Sequence, residues 1–192
     1  MKDFSILIVT YNQEKYISQA IESVLLQNQD LINEIVICDD CSTDNTNSII
    51  ETYKKKYPNL IKHTISNQHE KVSLPEYLTI YDVKYTNIRK NYINGINACS
   101  DRSKYIAILE GDDYWLHNKL ELMYNHIKSD EEKHSLYFHK YNILEKNIIK
   151  SRDYSYNADT EVTVKECIKN YQIQNLSCCI YNAKILKSVT KK

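Results

Sequence analysis

The sequence predicts an α/β domain with a Rossmann-like, mostly parallel central sheet and helices on both faces. Short apolar runs alternate along the chain with segments whose apolar residues repeat at helical spacing. The runs carry aliphatic side chains at consecutive positions, which is typical of strands buried on both faces. Polar clusters follow several runs, where ligands bind to parallel sheets. A length of 192 residues predicts one domain, over residues 4–192.

The first third of the chain predicts three strands and two helices. Asn12 is a candidate cap for the first helix, whose apolar positions include Tyr16, Ala20 and Val24. Pro58 is expected to end the second helix. In order, we predict a strand over 4–9, a helix over 16–25, a strand over 34–38, a helix ending near 57 and a more exposed strand over 60–66.

The rest of the chain continues the alternation less regularly. Residues 67–86 are polar, contain Pro75 and predict a long loop, which in a compact domain tends to be functional. In order, the remaining predictions are a helix over 88–99, a strand over 105–109, a helix over 120–127, a strand over 136–140, an irregular excursion over 141–157, a helix over 164–171, a strand over 176–181 and a helix from 183.

Three carboxylates follow the strand predicted at 105–109. Glu110, Asp112 and Asp113 repel one another unless a cation or hydrogen-bond donors lie among them, and we expect Gly111 to let the backbone turn so that they converge. Carboxylate oxygens suit Mg²⁺ or Mn²⁺, which commonly bind together with phosphates. The sequence therefore favours a metal–diphosphate site here, with an inert, solvated acidic turn as the alternative.

Two other strand ends bring polar residues to the same expected edge. Thr10-Tyr11-Asn12 closes the first strand and Asp39-Asp40 closes the second. Tyr11 can stack on a base, or alternatively pack on the first helix, and Asp39 can accept a hydrogen bond from a base or a ribose. Asp40 is expected to cap the next helix. Together these groups suit a nucleotide diphosphate, whose leaving group a bound metal would neutralise.

Composition narrows the class of protein. Lys and Arg (25) balance Asp and Glu (25), so no overall charge indicates a nucleic-acid partner. From residue 140 onward the sequence contains ten basic and five acidic residues. This excess of positive charge fits either a solvated basic end or contact with an anionic membrane or acceptor. Of the six cysteines, Cys38 and Cys41 have the C-x-x-C spacing, but no second pair completes a zinc site, which indicates reduced thiols. We expect a cytoplasmic protein, free or at the inner face of the membrane, without a spanning segment.

Common nucleotide motifs are absent from the sequence. The turn after the first strand, residues 10–14, has no glycine, so a dinucleotide fingerprint is excluded. The same turn lacks the Gly-rich, basic loop that a sugar-phosphate nucleotidyltransferase would need. No P-loop, zinc-protease motif or nucleophile elbow occurs either.

The chain resembles glycosyltransferase family 2, which has the GT-A fold. The matching stretches lie in the family's order and spacing over most of residues 4–128. They are residues 5–12 (SILIVTYN), 20–27 (AIESVLLQ), 34–46 (EIVICDDCSTDNT) and 105–115 (YIAILEGDDYW), the last followed by Lys119-Leu120.

The resemblance implies inverting transfer of a sugar from a nucleotide-diphosphate donor, most often a UDP-sugar, to a glycan or lipid-linked acceptor of the kind found in surface polysaccharides. By the same resemblance, Thr10 and Tyr11 line a base pocket, Asp39 binds the base, and Arg89 lies near the donor. Glu110-Gly111-Asp112 stands where the family has its D-x-D motif, so Glu replaces the first Asp. Asp112 is then the principal metal ligand, with Asp113 close by.

One part of the family's machinery has no counterpart here. Related enzymes place a general base, a carboxylate, after the strand that residues 176–181 resemble, and this chain has no Asp or Glu after Glu166. His134 and His139 are weaker substitutes, because a histidine at the surface or in the core is the more common case. The catalytic base is therefore unknown, and we expect a chain shortened before its acceptor half. The alternative is a nucleotide-sugar-binding module without turnover.

Overall fold

A computed structural model describes the protein at residues 2–66, 80–139, 141–146, 148–151 and 175–190. Its strands are β1 (Phe4–Thr10), β2 (Ile32–Asp39), β3 (Ile61–Ile65), β4 (Tyr105–Glu110), β5 (Leu136–Phe138), β6 (Asn142–Glu145), β7 (Ile148–Ser151) and β8 (Cys179–Asn182). Its helices are α1 (Ile17–Leu25), α2 (Thr46–Lys56), α3 (Ile80–Ala98), α4 (Lys119–Ser129) and α5 (Ala183–Thr190).

A six-stranded sheet in the order β3-β2-β1-β4-β8-β5 forms the centre of the fold. Strands β3, β2, β1 and β4 are mutually parallel, whereas β8 runs antiparallel to both of its neighbours. The predicted α/β class with a mostly parallel sheet is thus confirmed. Strands β6 and β7 form a separate two-stranded hairpin.

Alternate side chains of β1 supply the two halves of the core. Ile6 and Ile8 join a cluster that includes buried residues of α1, α2 and α4, whereas Leu7 and Val9 join a second cluster with α3 and α5. Both faces of the sheet are therefore covered, as continuous apolar strands predict. Helix α3 lies close against β1, because a Cβ on Gly95 would come within 2.5 Å of Leu7 Cδ1.

The structure corrects several predicted boundaries. Helix α3 begins at Ile80, eight residues before its first predicted turn and inside the predicted 67–86 loop. The predicted strand over 176–181 begins as a 3-10 turn at Leu176–Cys178, and only then becomes β8. The predicted excursion over 141–157 contains the β6–β7 hairpin. The remainder of the predicted loop, residues 67–79, and the predicted helix over 164–171 lie outside the described residues.

Helix α5 anchors part of the basic end of the chain. Lys187 is buried and donates hydrogen bonds to the Cys99 carbonyl and, at 2.6 Å, to Asp101 Oδ1. This lysine is therefore an internal contact of the fold and not a free surface charge. Among the described helices, none is both long and apolar enough to cross a membrane.

Candidate functional site

Three strand ends meet in register at one edge of the sheet. Thr10 pairs with Asp39 across β1 and β2, and Val9 pairs with Glu110 across β1 and β4. The polar residues that follow these strands therefore start from neighbouring positions, as the sequence predicted. The 3-10 turn before β8 reaches the same edge, because β8 runs antiparallel to β4 and Ile180 pairs with Ala107.

Side chains join the loop after β1 to the loop after β2. The side-chain oxygen Asn12 Oδ1 accepts from the backbone amide of Thr43 at 2.8 Å. The backbone amide of Asn12 donates to Ser42 Oγ at 2.8 Å. Further along, Glu14 Oε2 accepts from the amide and side chain of Asn45, each at 2.9 Å. The two loops therefore form one unit at the sheet edge.

Asn12 does not cap α1, contrary to prediction. The N-cap position is Tyr16, which makes no side-chain capping bond. Asn12 instead adopts a left-handed backbone with φ of 52°, a conformation that asparagine tolerates better than most residues. Its side chain is used to bind the Thr43 amide.

Asp39 is fully buried, and its carboxylate organises the turn that follows β2. One oxygen accepts from the Ser42 hydroxyl, and the other accepts from the Ser42 amide at 2.7 Å and from Asn47 Nδ2 at 3.2 Å. The first-turn amide of α2 at Thr46 is bound by Asp44 Oδ1 at 3.0 Å. Capping of this helix start thus comes from Asp44, where Asp40 was expected.

Gly111 is required for close packing and not for an unusual backbone angle. It has no positive φ, which corrects the expectation that its conformational freedom makes the carboxylates converge. A Cβ at this position would lie 2.3 Å from Gln13 Oε1 and 2.8 Å from Thr10 Oγ1. Thr10 Oγ1 donates to Gln13 Oε1 at 2.8 Å. The close approach of both side chains to Gly111 places the loop after β1 directly against residues 110–113, the acidic turn.

Glu110 is a half-buried carboxylate that accepts a hydrogen bond from Tyr92 Oη at 2.8 Å. Burial raises the pKa of Glu110, and the nearby charges of Asp113 and Asp112 raise it further, whereas the Tyr92 bond acts in the opposite direction. Burial beside Glu110 also raises the pKa of Tyr92, which therefore remains a donor. A cation at this edge would relieve the repulsion between the carboxylates.

Asp112 and Asp113 have different surroundings although they are adjacent. Asp113 Oδ2 accepts from Ser177 Oγ at 2.6 Å and from Asn175 Nδ2 at 2.9 Å. Asp112 is exposed within the turn formed by residues 110–113. The turn itself is closed by the Asp113 amide, which donates to the Glu110 carbonyl at 2.9 Å. Asp112 is thus the carboxylate that an incoming ion can reach most directly.

The donor set fits a metal that binds together with a diphosphate. Among the described residues, no three His, Cys, Asp or Glu side chains form a group that could hold a metal by itself. Mg²⁺ usually takes one or two protein carboxylates and completes its shell with waters and phosphate oxygens. Exposed Asp112, with Glu110 whose pKa is raised nearby, matches that pattern.

A second layer of contacts holds the chain after the acidic turn, and sequence reasoning did not identify it. The Trp115 amide donates to Ser23 Oγ at 3.1 Å, and the Leu120 amide donates to Gln27 Oε1 at 3.0 Å. Ser23 lies on α1 and Gln27 lies just after its end, and both belong to the 20–27 stretch that resembles the family. Their polar side chains within this mostly apolar stretch were the signal in the sequence. The two residues tie the segment after the acidic turn to the end of α1.

The chain resembles known proteins both in sequence and in structure. The model for Glycosyl transferase family 2 matches residues 5–73. A crystal structure of S. aureus TarS 1–349 in complex with UDP-GlcNAc covers 98% of this chain with a TM-score of 0.69 and 25% sequence identity. Residues 5–73 therefore resemble glycosyltransferase family 2, and the whole described fold resembles that of TarS.

Two proteins of bacterial cell-wall polymer synthesis, GgaA and TarS, are similar to this chain in sequence. The minor teichoic acid biosynthesis protein GgaA of Bacillus subtilis is 32% identical over 124 residues, which is 64% of this chain and 24% of GgaA. The poly(ribitol-phosphate) beta-N-acetylglucosaminyltransferase TarS of Staphylococcus aureus is 44% identical over 57 residues, 29% of this chain and 10% of TarS. The chain spans 47% of the crystallised TarS fragment, so it corresponds to part of these relatives.

The fold matches the GT-A fold of the TarS structures.

Two further residues that the sequence placed at the donor site are Tyr11 and Arg89. Tyr11 lies at the sheet edge with 45% of its surface exposed. Arg89 lies on α3, and its side chain is outside the described part of the structure.

Proposed function

We propose that this chain binds a nucleotide-diphosphate sugar, with a UDP-sugar favoured, and transfers the sugar to a glycan or lipid-linked acceptor. The observation that carries the proposal is the register of Thr10, Asp39 and Glu110 along one edge of a sheet. Likeness to the UDP-GlcNAc complex of TarS at 25% identity over 98% of the chain supports the same donor class. Resemblance to family 2 supports transferase chemistry with inversion at the sugar.

The base and ribose would bind between the loops after β1 and β2. Exposed Tyr11 offers a face for stacking beside Thr10, and the Asn12–Thr43 bond fixes the loop that carries it. Asp39 already accepts three hydrogen bonds from its own turn, so it would bind the base or ribose from a fixed position. Preorganisation of this kind lowers the entropy cost of binding.

The diphosphate would lie over the acidic turn. Glu110 and Asp112 would hold a Mg²⁺ or Mn²⁺ ion there, and the ion when bound supplies positive charge to the leaving diphosphate. Gly111 allows the turn to lie against Thr10 without a side chain between them. Asp113 is close by but is engaged with Ser177 and Asn175, and we assign Asp112 as the principal ligand. Arg89 of α3 is proposed to lie near the donor.

Calorimetric titration of UDP, GDP and CDP, each with and without Mn²⁺, tests this proposal. We expect UDP to bind most tightly and its affinity to rise with Mn²⁺. Asp112→Asn should abolish the metal-dependent part of the affinity. Asp30→Asn is the matched control, because Asp30 is exposed and precedes β2 at the opposite edge of the sheet. The absence of nucleotide binding by the wild-type protein would contradict the proposal.

A second candidate function is binding of the nucleotide-sugar without turnover. It requires only the donor-side groups at Thr10, Asp39 and Glu110, which the sheet brings to one edge. Incubation with UDP-GlcNAc and Mn²⁺, followed by measurement of released UDP, separates the two candidates. Metal-dependent binding with no release above the Asp112→Asn background would favour the binding module.

Location at the cytoplasmic face of a membrane, through peripheral contact, is a further part of the proposal. Without the buried Lys187, nine basic against five acidic residues from position 140 onward support attraction to anionic lipid. Co-sedimentation with anionic and with neutral vesicles measures this attraction. Equal binding to both kinds of vesicle would contradict an electrostatic contact.

A further inference from the structure

Ser177 uses all of its polar groups in contacts around the acidic turn. Its hydroxyl donates to Asp113 Oδ2 at 2.6 Å and accepts from the Glu110 amide at 2.8 Å. Its own amide donates to Asn175 Oδ1 at 2.7 Å. Its carbonyl accepts from Trp115 Nε1 at 2.9 Å and from Lys119 Nζ at 2.6 Å. The residue is buried, with 7% of its surface exposed.

The side chain and the backbone of Ser177 have separate tasks. The hydroxyl binds the first and last residues of the acidic turn, Glu110 and Asp113, so both ends of the turn are held by one group. The carbonyl and amide bind residues outside the turn and hold the 3-10 turn before β8 in place. Loss of the hydroxyl alone would therefore release the acidic turn without detaching the segment that carries it.

The exposed carboxylate between the held ends is Asp112. Asn175 Nδ2 adds a second bond to Asp113 Oδ2 at 2.9 Å, so that oxygen is occupied by two neutral donors. Asp113 Oδ2 thus already has two partners, whereas Asp112 is exposed at the surface of the turn. Outer partners that orient metal-binding groups commonly change metal affinity by about 10- to 100-fold when they are removed.

We propose that Ser177, assisted by Asn175, is a positioning residue that fixes the acidic turn so that Asp112 can bind the metal of the nucleotide diphosphate. This inference rests on the proposed function above. It assigns a role in the donor site to the segment before β8, which lies 64 residues after Asp113 in sequence and meets it only in the folded protein.

The test measures UDP affinity with and without Mn²⁺ in variants of the whole chain. Ser177→Ala is expected to weaken UDP binding in Mn²⁺ by about tenfold or more, with metal-free UDP affinity unchanged within about twofold. Ser177→Thr keeps the hydroxyl and is expected to restore most of the metal effect. Ser5→Ala is the matched control, because Ser5 is a fully buried serine at the other end of β1 whose hydroxyl donates to Glu34 Oε1 and accepts from the Ser103 hydroxyl.

The outcomes separate this inference from the proposed function. If wild-type protein binds UDP with Mn²⁺ dependence and Ser177→Ala retains that dependence, the positioning role is overturned and the proposed function stands. Equal losses in Ser177→Ala and Ser5→Ala would also overturn it, because they would indicate general destabilisation. If Ser177→Ala does not fold, Asn175→Ala should show a smaller loss in the same direction, and an unchanged Mn²⁺ effect there overturns the role. Wild-type protein that binds no UDP removes both.

Discussion

Lys119 places an amine in the interior behind the acidic turn, and its substitution by Met gives the sharpest test of the packing there. Its Nζ donates to the Ser177 carbonyl at 2.6 Å and lies 3.6 Å from the centre of the Trp115 ring. Burial lowers the pKa of Lys119 from 10.5 to about 7. Lys119→Met keeps the apolar stem and removes the charge, and Trp115 Nε1 still donates to the Ser177 carbonyl.

The lowered pKa of Lys119 sets the sign and size of the expected effect. Between pH 7 and 10.5 the unfolded chain holds a proton on this amine that the folded chain has released. The free energy of unfolding therefore rises with pH in that interval, by at most about 1.4 kcal/mol per pH unit. Summed from about pH 6 to about pH 9, the wild-type protein gains about 3 kcal/mol from this group, a gain that the Met variant lacks.

Urea unfolding of both proteins across that pH range measures the effect, since the difference between them cancels every titrating group that does not interact with Lys119. We expect the stability of Lys119→Met relative to wild type to be greatest at the acidic end and to shrink by about 3 kcal/mol toward the alkaline end. Lys55→Met, at an exposed position of α2, is the matched control. A constant difference for Lys119→Met would refute the buried, proton-releasing amine.

Three further predictions concern single contacts, each measured by urea unfolding. Gly111→Ala should cost about 1–3 kcal/mol, because its Cβ would lie 2.8 Å from Oγ1 and 2.9 Å from Cβ of the buried Thr10, and an unchanged stability would contradict the close approach. Asn12→Ala should destabilise more than Asn12→Gly, because alanine is strained at φ of 52° and both lose the Thr43 bond; equal losses would argue against strain. For Glu34→Gln the loss should be largest near neutral pH and shrink in acid. Burial raises the pKa of Glu34, but bonds from Lys62, Ser5 and Ser100 together lower it, and a loss independent of pH would contradict this balance.

Sequence patterns predicted the parallel part of the sheet well because aliphatic runs are a local property. The runs at 4–9, 34–38 and 105–109 became β1, β2 and β4 with small changes of boundary. The direction of β8 was not predictable in this way, because strand direction depends on the path of the chain and not on side-chain type. The start of α3 was placed too late, since the residues from Ile80 to Asn87 alternate apolar and polar types without a clear helical period.

The candidate site was predictable in position but not in its hydrogen bonding. Strand ends brought Thr10, Asp39 and Glu110 to one edge, as the order of the elements required. The turn at Asp39 had a local signal, because aspartate side chains in turns commonly accept hydrogen bonds from backbone amides that follow closely in sequence. The contact of Ser177 with Asp113 had no such signal, because nothing in either neighbourhood specifies a partner so far away in sequence.

The place of β8 in the sheet has a consequence for the order of folding. Strand β8 follows β5 in sequence and is the last of the described strands, yet it lies between β4 and β5. Until it is in place, β4 presents an open edge and β5 has no neighbour in the sheet, which is the condition that favours pairing with other chains. During synthesis the parallel strands β1 to β4 can assemble first, but closure of the sheet waits for residues 179–182. Protection of the β4 edge therefore depends on a segment that emerges later than both of its neighbours in the sheet.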